Sequence, residues 1–444
     1  MQNNLTKRTQ LKLQLSHASL CYFVYIVLLY VFLTFFLTKN TSSPMKTISF
    51  ALDFNLAKYI VSIFMVLTMW YSVVTKYRKM RSFSEQVILL IILLYFMPGV
   101  ALSGIRNFEW SYIIQYYLYF LALVFFDTIL AYPKRAFPQL KDRTRYWFIK
   151  LVIIISFVSI VFLVWYYGRS FSWELLLETL IDPYSSRMAA REAQTPWAIM
   201  FVEYWASYFC CYMISRSFRK KQYILVGVYV LCELILFTLR GNRSYVFYAI
   251  FGILIGLFNI NEKKIALTMT LMMAVPIIEY FVINNNNELG PITNILRRYS
   301  IDPNILGTQY FEYFSFHPHD WLRGTFSSIS NFWGLESPYG MNVGYFIGSA
   351  YYGWSMYANT GLFGGAYYEF GILGIFIDTL LIIISLRIFE KVLYIIDHSL
   401  KFTVAFVYSL LVINSTAVWA NCFRITPILI YLISLYVMCG KDDL

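Results

Sequence analysis

Apolar stretches of roughly 16 to 22 residues recur along this chain from about residue 20 to residue 440, most of them separated by short polar segments. A hydrocarbon core about 30 Å thick is crossed by roughly 20 helical residues, so runs of this length are membrane spans and not soluble core helices. Backbone in lipid must satisfy its own hydrogen bonds, and none of the runs alternates with the period of two that a barrel strand needs, so the spans are helical. About twelve are expected, near 20–38, 54–75, 86–104, 111–130, 148–167, 197–215, 223–239, 245–260, 265–283, 363–386, 402–420 and 426–440. With 59% hydrophobic and only 14% charged residues, and no internal repeat, low-complexity tract or soluble domain, the expected fold is an all-α polytopic integral membrane protein forming one membrane domain over residues 1–444.

Lys and Arg set the orientation, because they collect on the cytoplasmic side. One set of short segments holds Lys7, Arg8 and Lys12, then Lys76, Arg78, Lys79 and Arg81, then Lys134, Arg135, Lys141, Arg143 and Arg145, then Arg216, Arg219, Lys220 and Lys221, then Lys263 and Lys264, then Arg387, Lys391 and Lys401. These loops are expected to be cytoplasmic, which places both termini inside. The net charge of +12 is then mostly this signature together with attraction to anionic membrane lipids, and no basic domain supports nucleic-acid binding. No cleavable signal peptide is expected, since the first apolar run is long and no small-residue cleavage site follows it. The six cysteines lie in or beside apolar segments, with neither a disulfide framework nor a CxxC metal pattern.

The remaining segments face outward, and two are large, about 168–196 and 284–362. From the third expected span onward every basic residue placed outside is arginine: Arg106, Arg169, Arg187, Arg191, Arg240, Arg243, Arg297, Arg298, Arg323 and Arg424. Any single arginine suits a headgroup phosphate. The set points to a bound multidentate anion, because guanidinium offers a planar fork of donors where ammonium is a point charge. The turn "LRGNRS" (239–244) sits between two spans slightly short for the core, so Arg240 and Arg243 are expected at or below the membrane surface, where they need water, a carboxylate or an anionic ligand. Glu233, seven residues before Arg240 on the same helical face, is the expected counter-charge. Arg187 and Arg191 are four apart and share a face of a short helix between Pro183 and Pro196, which also fits an interfacial amphipathic helix.

Segment 284–362 opens with "NILRRYS", continues through "YFEYFSFHPHDWLRGTF", and ends rich in glycine. Its aromatic content argues against disorder. Tyr313 and Trp321 are candidate platforms for sugar rings, although membrane interfaces collect the same side chains. His317, His319 and Asp320 form its densest titratable cluster; without a second ligand cluster, acid–base or hydrogen-bonding work is favoured over metal binding. Asp182, Glu312 and Glu336 remain eligible as bases.

The stretch "ANTGLFGGAYYEFGILGIF" (358–376), which includes Asn359, resembles the N-T-G-x-x-G-x-A-Y-x-x-F-G-x-x-G pattern of bacterial Wzy-type polymerases of O-antigen and capsular repeat units. The R-G-N-R-S turn, the dozen or so spans and the two large arginine-bearing outer loops are also similar to that family. The resemblance covers the topology, with specific motifs over about forty residues. It implies a membrane glycosyltransferase, GT-C-like, in the bacterial plasma (inner) membrane with its active site on the periplasmic or outer face. The implied reaction transfers a glycan from undecaprenyl diphosphate to the next undecaprenyl-diphosphate-linked repeat unit. It implies no nucleotide, metal or other cofactor, and a chain-length regulator protein as a candidate partner. On this reading Arg240, Arg243, Arg297 and Arg298 stabilise charge on the leaving diphosphate. Arg187, Arg191 and Arg323 orient donor or acceptor together with Glu233, Asn359, Tyr313 and Trp321, and His317, His319 or Asp320 takes the acceptor proton.

Two other functions fit the same outline. An O-antigen ligase would use the same donor on the same face, against which the 358–376 motif weighs. A lipid-linked glycan flippase or other transporter would carry related halves and a site at mid-depth on broken helices; no duplicated motif is visible, and the arginines are expected outside.

Overall fold

A computed structural model describes residues 16–39, 53–138, 140–167, 209–240, 244–258, 260–282, 293, 296–324, 334–353, 358, 361–414, 432–433 and 435–437. Among these residues there are helices and no strand. Six helices are long and apolar enough to cross a membrane, at His17–Thr34, Leu56–Tyr77, Phe83–Ile105, Trp110–Ile129, Glu262–Val282 and Ile372–Val392. Three shorter apolar helices accompany them, at Tyr223–Thr238, Tyr245–Leu257 and His398–Ile413. The chain is an all-α, multi-pass membrane protein. Most of the expected spans near 197–215 and 426–440 lies outside the described residues.

The helices are numbered α1 (His17–Lys39), α2 (Leu56–Ser72), α3 (Phe83–Ile105), α4 (Trp110–Ile129), α5 (Asp142–Tyr167), α6 (Tyr223–Arg240), α7 (Ser244–Leu257), α8 (Glu262–Val282), α9 (Asp302–Phe314), α10 (Val343–Tyr352), α11 (Gly361–Phe370), α12 (Ile372–Val392) and α13 (His398–Asn414). They gather into two compact units: residues 1–79, 101–107 and 261–296, and residues 80–100, 108–260 and 297–444.

The smaller unit is built on α1 packed against α8. Arg78, which follows a π-turn at Val73–Tyr77, pairs with Glu262 at 3.4 Å and donates to Ser16 Oγ at 2.8 Å, tying the start of α8 to the start of α1. Gly104 lets its helix approach α2 closely: a Cβ there would lie 2.8 Å from the Tyr59 backbone and 2.5 Å from Ser62 Oγ.

The larger unit centres on the part of α3 up to Val100, whose residues 86–100 are all buried. A helix that is apolar on every face belongs inside a bundle. At one end of this unit, α4 and α12 meet through a buried ion pair, Arg387 to Asp127 at 2.8 Å; Arg387 also donates to the Leu130 carbonyl, and its guanidinium lies 3.8 Å from the Tyr132 ring centre. Tyr132 donates to the same Asp127 carboxylate at 2.9 Å, so neither charge is left bare in the low-dielectric interior.

The other end, where α4 begins at Trp110, departs from the expected layout. The apolar run read as one span at 363–386 is two helices. Gly371, with φ 61°, reverses the chain between α11 and α12, and Gly374 then comes so close to the Ala366 carbonyl that a Cβ would sit 2.0 Å from it. The Phe363 ring lies 6.5 Å from that of Tyr119, whose hydroxyl donates to Asp378 on the other arm, so α4 lines both arms of the hairpin. Hydropathy is continuous across Gly371 and does not register a turn made by one left-handed residue. The stretch read as outer loop at 284–362 also contains α9, which packs alongside α11 with the same direction: Pro303 lies beside Gly361, Phe311 beside Phe363 and Tyr367, and Ser315 Oγ is 3.2 Å from Tyr367 Oη.

Candidate functional site

Helix α9 starts inside the bundle. The π-turn Arg297–Ile301 that precedes it packs against a second π-turn, Ile92–Phe96, within α3. Pro303 in the first turn of α9 suits a helix start, where no backbone donor is lost and φ is preset. Asn304, wholly buried, joins three elements: its Nδ2 donates to the Tyr95 carbonyl at 3.2 Å and the Ser300 carbonyl at 2.8 Å, and its Oδ1 accepts from Tyr116 Oη at 2.6 Å. Tyr116 also donates to the Tyr95 carbonyl at 2.9 Å, and the Phe363 amide donates to Tyr95 Oη at 2.9 Å, which adds the first turn of α11 to the network. Counted from Phe83, Tyr95 is the thirteenth residue of a 23-residue helix, so this network lies near the middle of α3. Gly99 makes room for it: a Cβ would stand 2.2 Å from Tyr116 Oη and 2.5 Å from Asn304 Oδ1.

Arg297 and Arg298 are thereby carried to this depth. Arg297 pairs with Asp302 at 3.4 Å, their side chains being 15% and 19% exposed, while Arg298 is exposed. Asp302 is the carboxylate adjoining both arginines. Arg297 and Arg298 both lie near Asp302, and the N-terminal ends of α9 and α11 bring their partial positive charges to the same region. The N-termini meet closely, since a Cβ on Gly361 would lie 2.9 Å from Pro303 Cβ and 3.2 Å from the Tyr95 ring. Arrays of this kind suit an anion with several oxygens.

The far end of α9 carries the other predicted residues. Tyr313 stacks on His317 with ring centres 3.9 Å apart, and His317 Nδ1 lies 2.8 Å from the Tyr313 carbonyl. Backbone amides of Asp320 and Trp321 donate to the carbonyls of Tyr368 and Glu369 at 3.0 and 3.1 Å, pinning the loop to the top of α11. Trp321 and Leu322 both take left-handed φ, 55° and 64°, a strained pair held by carboxylates. The Leu322 amide donates to Glu369 Oε2 at 2.5 Å, the Gly324 amide to Asp320 Oδ2 at 2.6 Å, and Ser337 Oγ to Asp320 Oδ1 at 2.6 Å. Asp320 and Glu369 are wholly buried. Arg323 curls back on the same loop, Nε to the Asp320 carbonyl at 2.8 Å and a terminal nitrogen to the His319 carbonyl at 3.1 Å. His319 lies between the Phe314 and Tyr367 rings and against Gly371, and burial pushes its pKa down, which keeps the imidazole neutral at neutral pH. Tyr339 closes the edge through its hydroxyl to the Pro318 carbonyl, and burial raises its pKa to about 12. Trp321 stays 54% exposed, with its ring edge-on to Phe370 at 5.3 Å.

The predicted residues therefore divide. Arg297 and Arg298 stand at one end of α9, and His317, His319, Asp320, Trp321 and Arg323 stand at the other. Thirteen helical residues separate them, roughly 20 Å at 1.5 Å per residue. The two sets do not meet at one point. Glu233 is wholly buried near Cys210 and Cys211, and neither of its oxygens has a hydrogen-bond partner among the described residues. Arg240 ends α6, and its side chain, with Arg187, Arg191, Arg243 and Asn359, lies outside the described residues. Asp302, Asn304, Tyr95, Tyr116 and Glu369 join the predicted residues here. The Asp302-Pro303 helix-start signal in "RRYSIDPN" was there to be read; the tyrosines look like ordinary span residues.

The fold and site together define a polytopic α-helical membrane protein with a half-helix ending among buried polar groups. No family model, curated protein or solved structure matches the chain.

Proposed function

We propose that this protein polymerises glycan repeat units carried on undecaprenyl diphosphate at the outer face of a bacterial plasma membrane. On the positive-inside rule the Trp110 end of the larger unit is the outer one. The observation that carries the proposal is the placement of Arg297 and Arg298, with Asp302, near the middle of α3. An arginine at mid-span costs about 2.5–3.5 kcal/mol on insertion scales, and an anionic substrate offsets that cost. The lipid diphosphate sits on the two arginines, and its glycan runs along α9 toward the aromatic rim formed by Tyr313, His317 and Trp321. The acceptor hydroxyl oxygen attacks the anomeric carbon and the bond to the diphosphate oxygen breaks. Its electron pair stays on the diphosphate, where the arginine donors are worth about 3–4 kcal/mol each. Asp302 is placed to take the acceptor proton. Asp320, whose oxygens both accept hydrogen bonds from its own loop, has a holding role instead.

The test is polymerisation by the purified full chain of an undecaprenyl-diphosphate-linked repeat unit, read as a ladder on a gel, with EDTA in excess. A ladder that Arg298→Lys and Asp302→Asn abolish supports the proposal, and absence of any ladder from folded wild type overturns it. One observation favours a second reading. Two half-helices that begin side by side within a bundle are a feature of transporters. Movement of the lipid-linked unit across liposome membranes without any polymer would establish a flippase.

A further inference from the structure

The cation cluster at the start of α5 lies far from α9 in sequence and plays no part in the reaction above. Between Lys134 and Lys150 the chain carries Lys134, Arg135, Lys141, Arg143, Arg145 and Lys150, against the single acid Asp142. Lys134, Arg135, Lys141 and Arg143 are all exposed, and among the described residues none forms an ion pair. The segment is held in place: the Phe137 amide donates to the Lys391 carbonyl at 3.3 Å, and the Phe137 ring meets Tyr436 edge-on at 6.2 Å. Directly beyond the cations stand Tyr146 and Trp147, 55% and 62% exposed, with Lys150 Nζ 4.5 Å from the Tyr146 ring centre. The surface then becomes apolar, with Ile154, Phe157 and Val158 each 57–63% exposed.

Cations, then an aromatic belt, then bare aliphatic surface is the order met on passing from a bilayer's headgroups into its acyl chains. An acidic soluble protein would match the cations and leave the apolar face uncovered. We infer that Lys134, Arg135, Lys141 and Arg143, with Tyr146 and Trp147, form a binding site for anionic phospholipid headgroups of the surrounding bilayer, with the acyl chains lying along α5. Among the described residues Lys134, Arg135, Lys141 and Arg143 form no ion pair, so occupancy is selective for negatively charged lipid and weakens as salt screens it.

The full chain in detergent micelles is titrated with cardiolipin and with phosphatidylcholine, and bound lipid is counted by native mass spectrometry. Wild type prefers cardiolipin by at least about tenfold. The variant Lys134→Gln, Arg135→Gln, Lys141→Gln, Arg143→Gln brings the two lipids within about twofold of each other. A charge-matched control, Lys79→Gln, Lys220→Gln, Lys221→Gln, Lys263→Gln, keeps the preference. Arg135→Lys with Arg143→Lys also keeps it, since headgroup attraction needs charge and not a fork of donors. If the fourfold variant elutes aggregated, Arg135→Gln with Arg143→Gln is titrated instead and loses at least about threefold. Equal binding of both lipids by wild type, or equal loss in variant and control, overturns the site. Displacement of cardiolipin by millimolar inorganic pyrophosphate would overturn it in favour of a soluble anion.

Discussion

The two ends of α9 hold similar kinds of side chain in opposite conditions. At the loop end each oxygen of Asp320 accepts a donor from its own loop, Glu369 accepts the Leu322 amide, and Arg323 is spent on two carbonyls. At the π-turn end Arg297 and Arg298 both lie near Asp302. A group whose hydrogen bonds are complete has been assigned to the fold, whereas guanidiniums carried to depth are suited to meeting an anion. A motif that puts histidine, aspartate and arginine within seven residues looked catalytic in sequence, and in three dimensions much of its polarity is used to hold a strained turn.

The largest expected effect tests that contrast directly. Arg297→Lys and Arg298→Lys each lower polymer formation by about a hundredfold or more at normal membrane abundance, because lysine keeps the charge but not the paired donors. His317→Ala and His319→Gln stay within about tenfold of wild type. If the histidine variants abolish the ladder and the lysine variants preserve it, the reacting centre belongs at the loop end and the contrast is reversed.

Asp320→Ala is expected to cost about 2–4 kcal/mol, since hydrogen bonds to a charged acceptor are worth roughly 1.5–3 kcal/mol each and the loop then gives up its left-handed pair. Hydrogen exchange at the amides of Leu322 and Gly324 should rise with it. Unchanged exchange would show that Asp320 is not what holds the loop. A smaller loss, about 1–3 kcal/mol in a thermal melt, is expected from Gly361→Ala, which places a Cβ in positive-φ backbone against Pro303 and Tyr95. A neutral or stabilising result would mean that the N-termini of α9 and α11 have room to part.

The smallest effect is that of pH. Burial lowers the pKa of folded His319, so as pH falls through the ordinary histidine range, about 6.5, the unfolded chain takes up a proton that the folded loop resists. Its contribution to stability is therefore present above that range and is lost as the medium is acidified. The melting temperature of wild type should fall more steeply between about pH 7.5 and 5.5 than that of His319→Gln. Parallel curves would remove His319 from the packed part of the loop.

Much of the helical framework was legible in the sequence because lipid leaves few choices for an apolar run. The runs at 54–75, 86–104, 111–130, 223–239 and 265–283 reappear as helices displaced by a few residues at their ends. What escaped is what hydropathy averages over. The run at 363–386 is continuously apolar, yet Gly371 turns it back on itself against His319. Helix α9 contains Asp302, Asn304, Gln309 and Glu312 and reads as an exposed loop; its place in the bundle depends on distant partners, Tyr95 and Tyr116, 209 and 188 residues from Asn304. The arginine pair was picked out by residue type, and its separation from the histidines followed from one helix whose start signal was overlooked.

The dependence of α9 on Asn304 also fixes an order of assembly. A segment with two acids and two amides in thirteen residues is too polar to enter lipid alone, so α9 is admitted only where Tyr95 and Tyr116 already stand ready with α3 and α4 in the membrane. Those tyrosines are made early on the ribosome, and the Phe363 amide that completes their hydrogen bonding arrives more than 240 residues after Tyr116. Until the hairpin turned at Gly371 has been synthesised, the centre of this bundle is an unfinished polar socket awaiting the C-terminal half of its own chain.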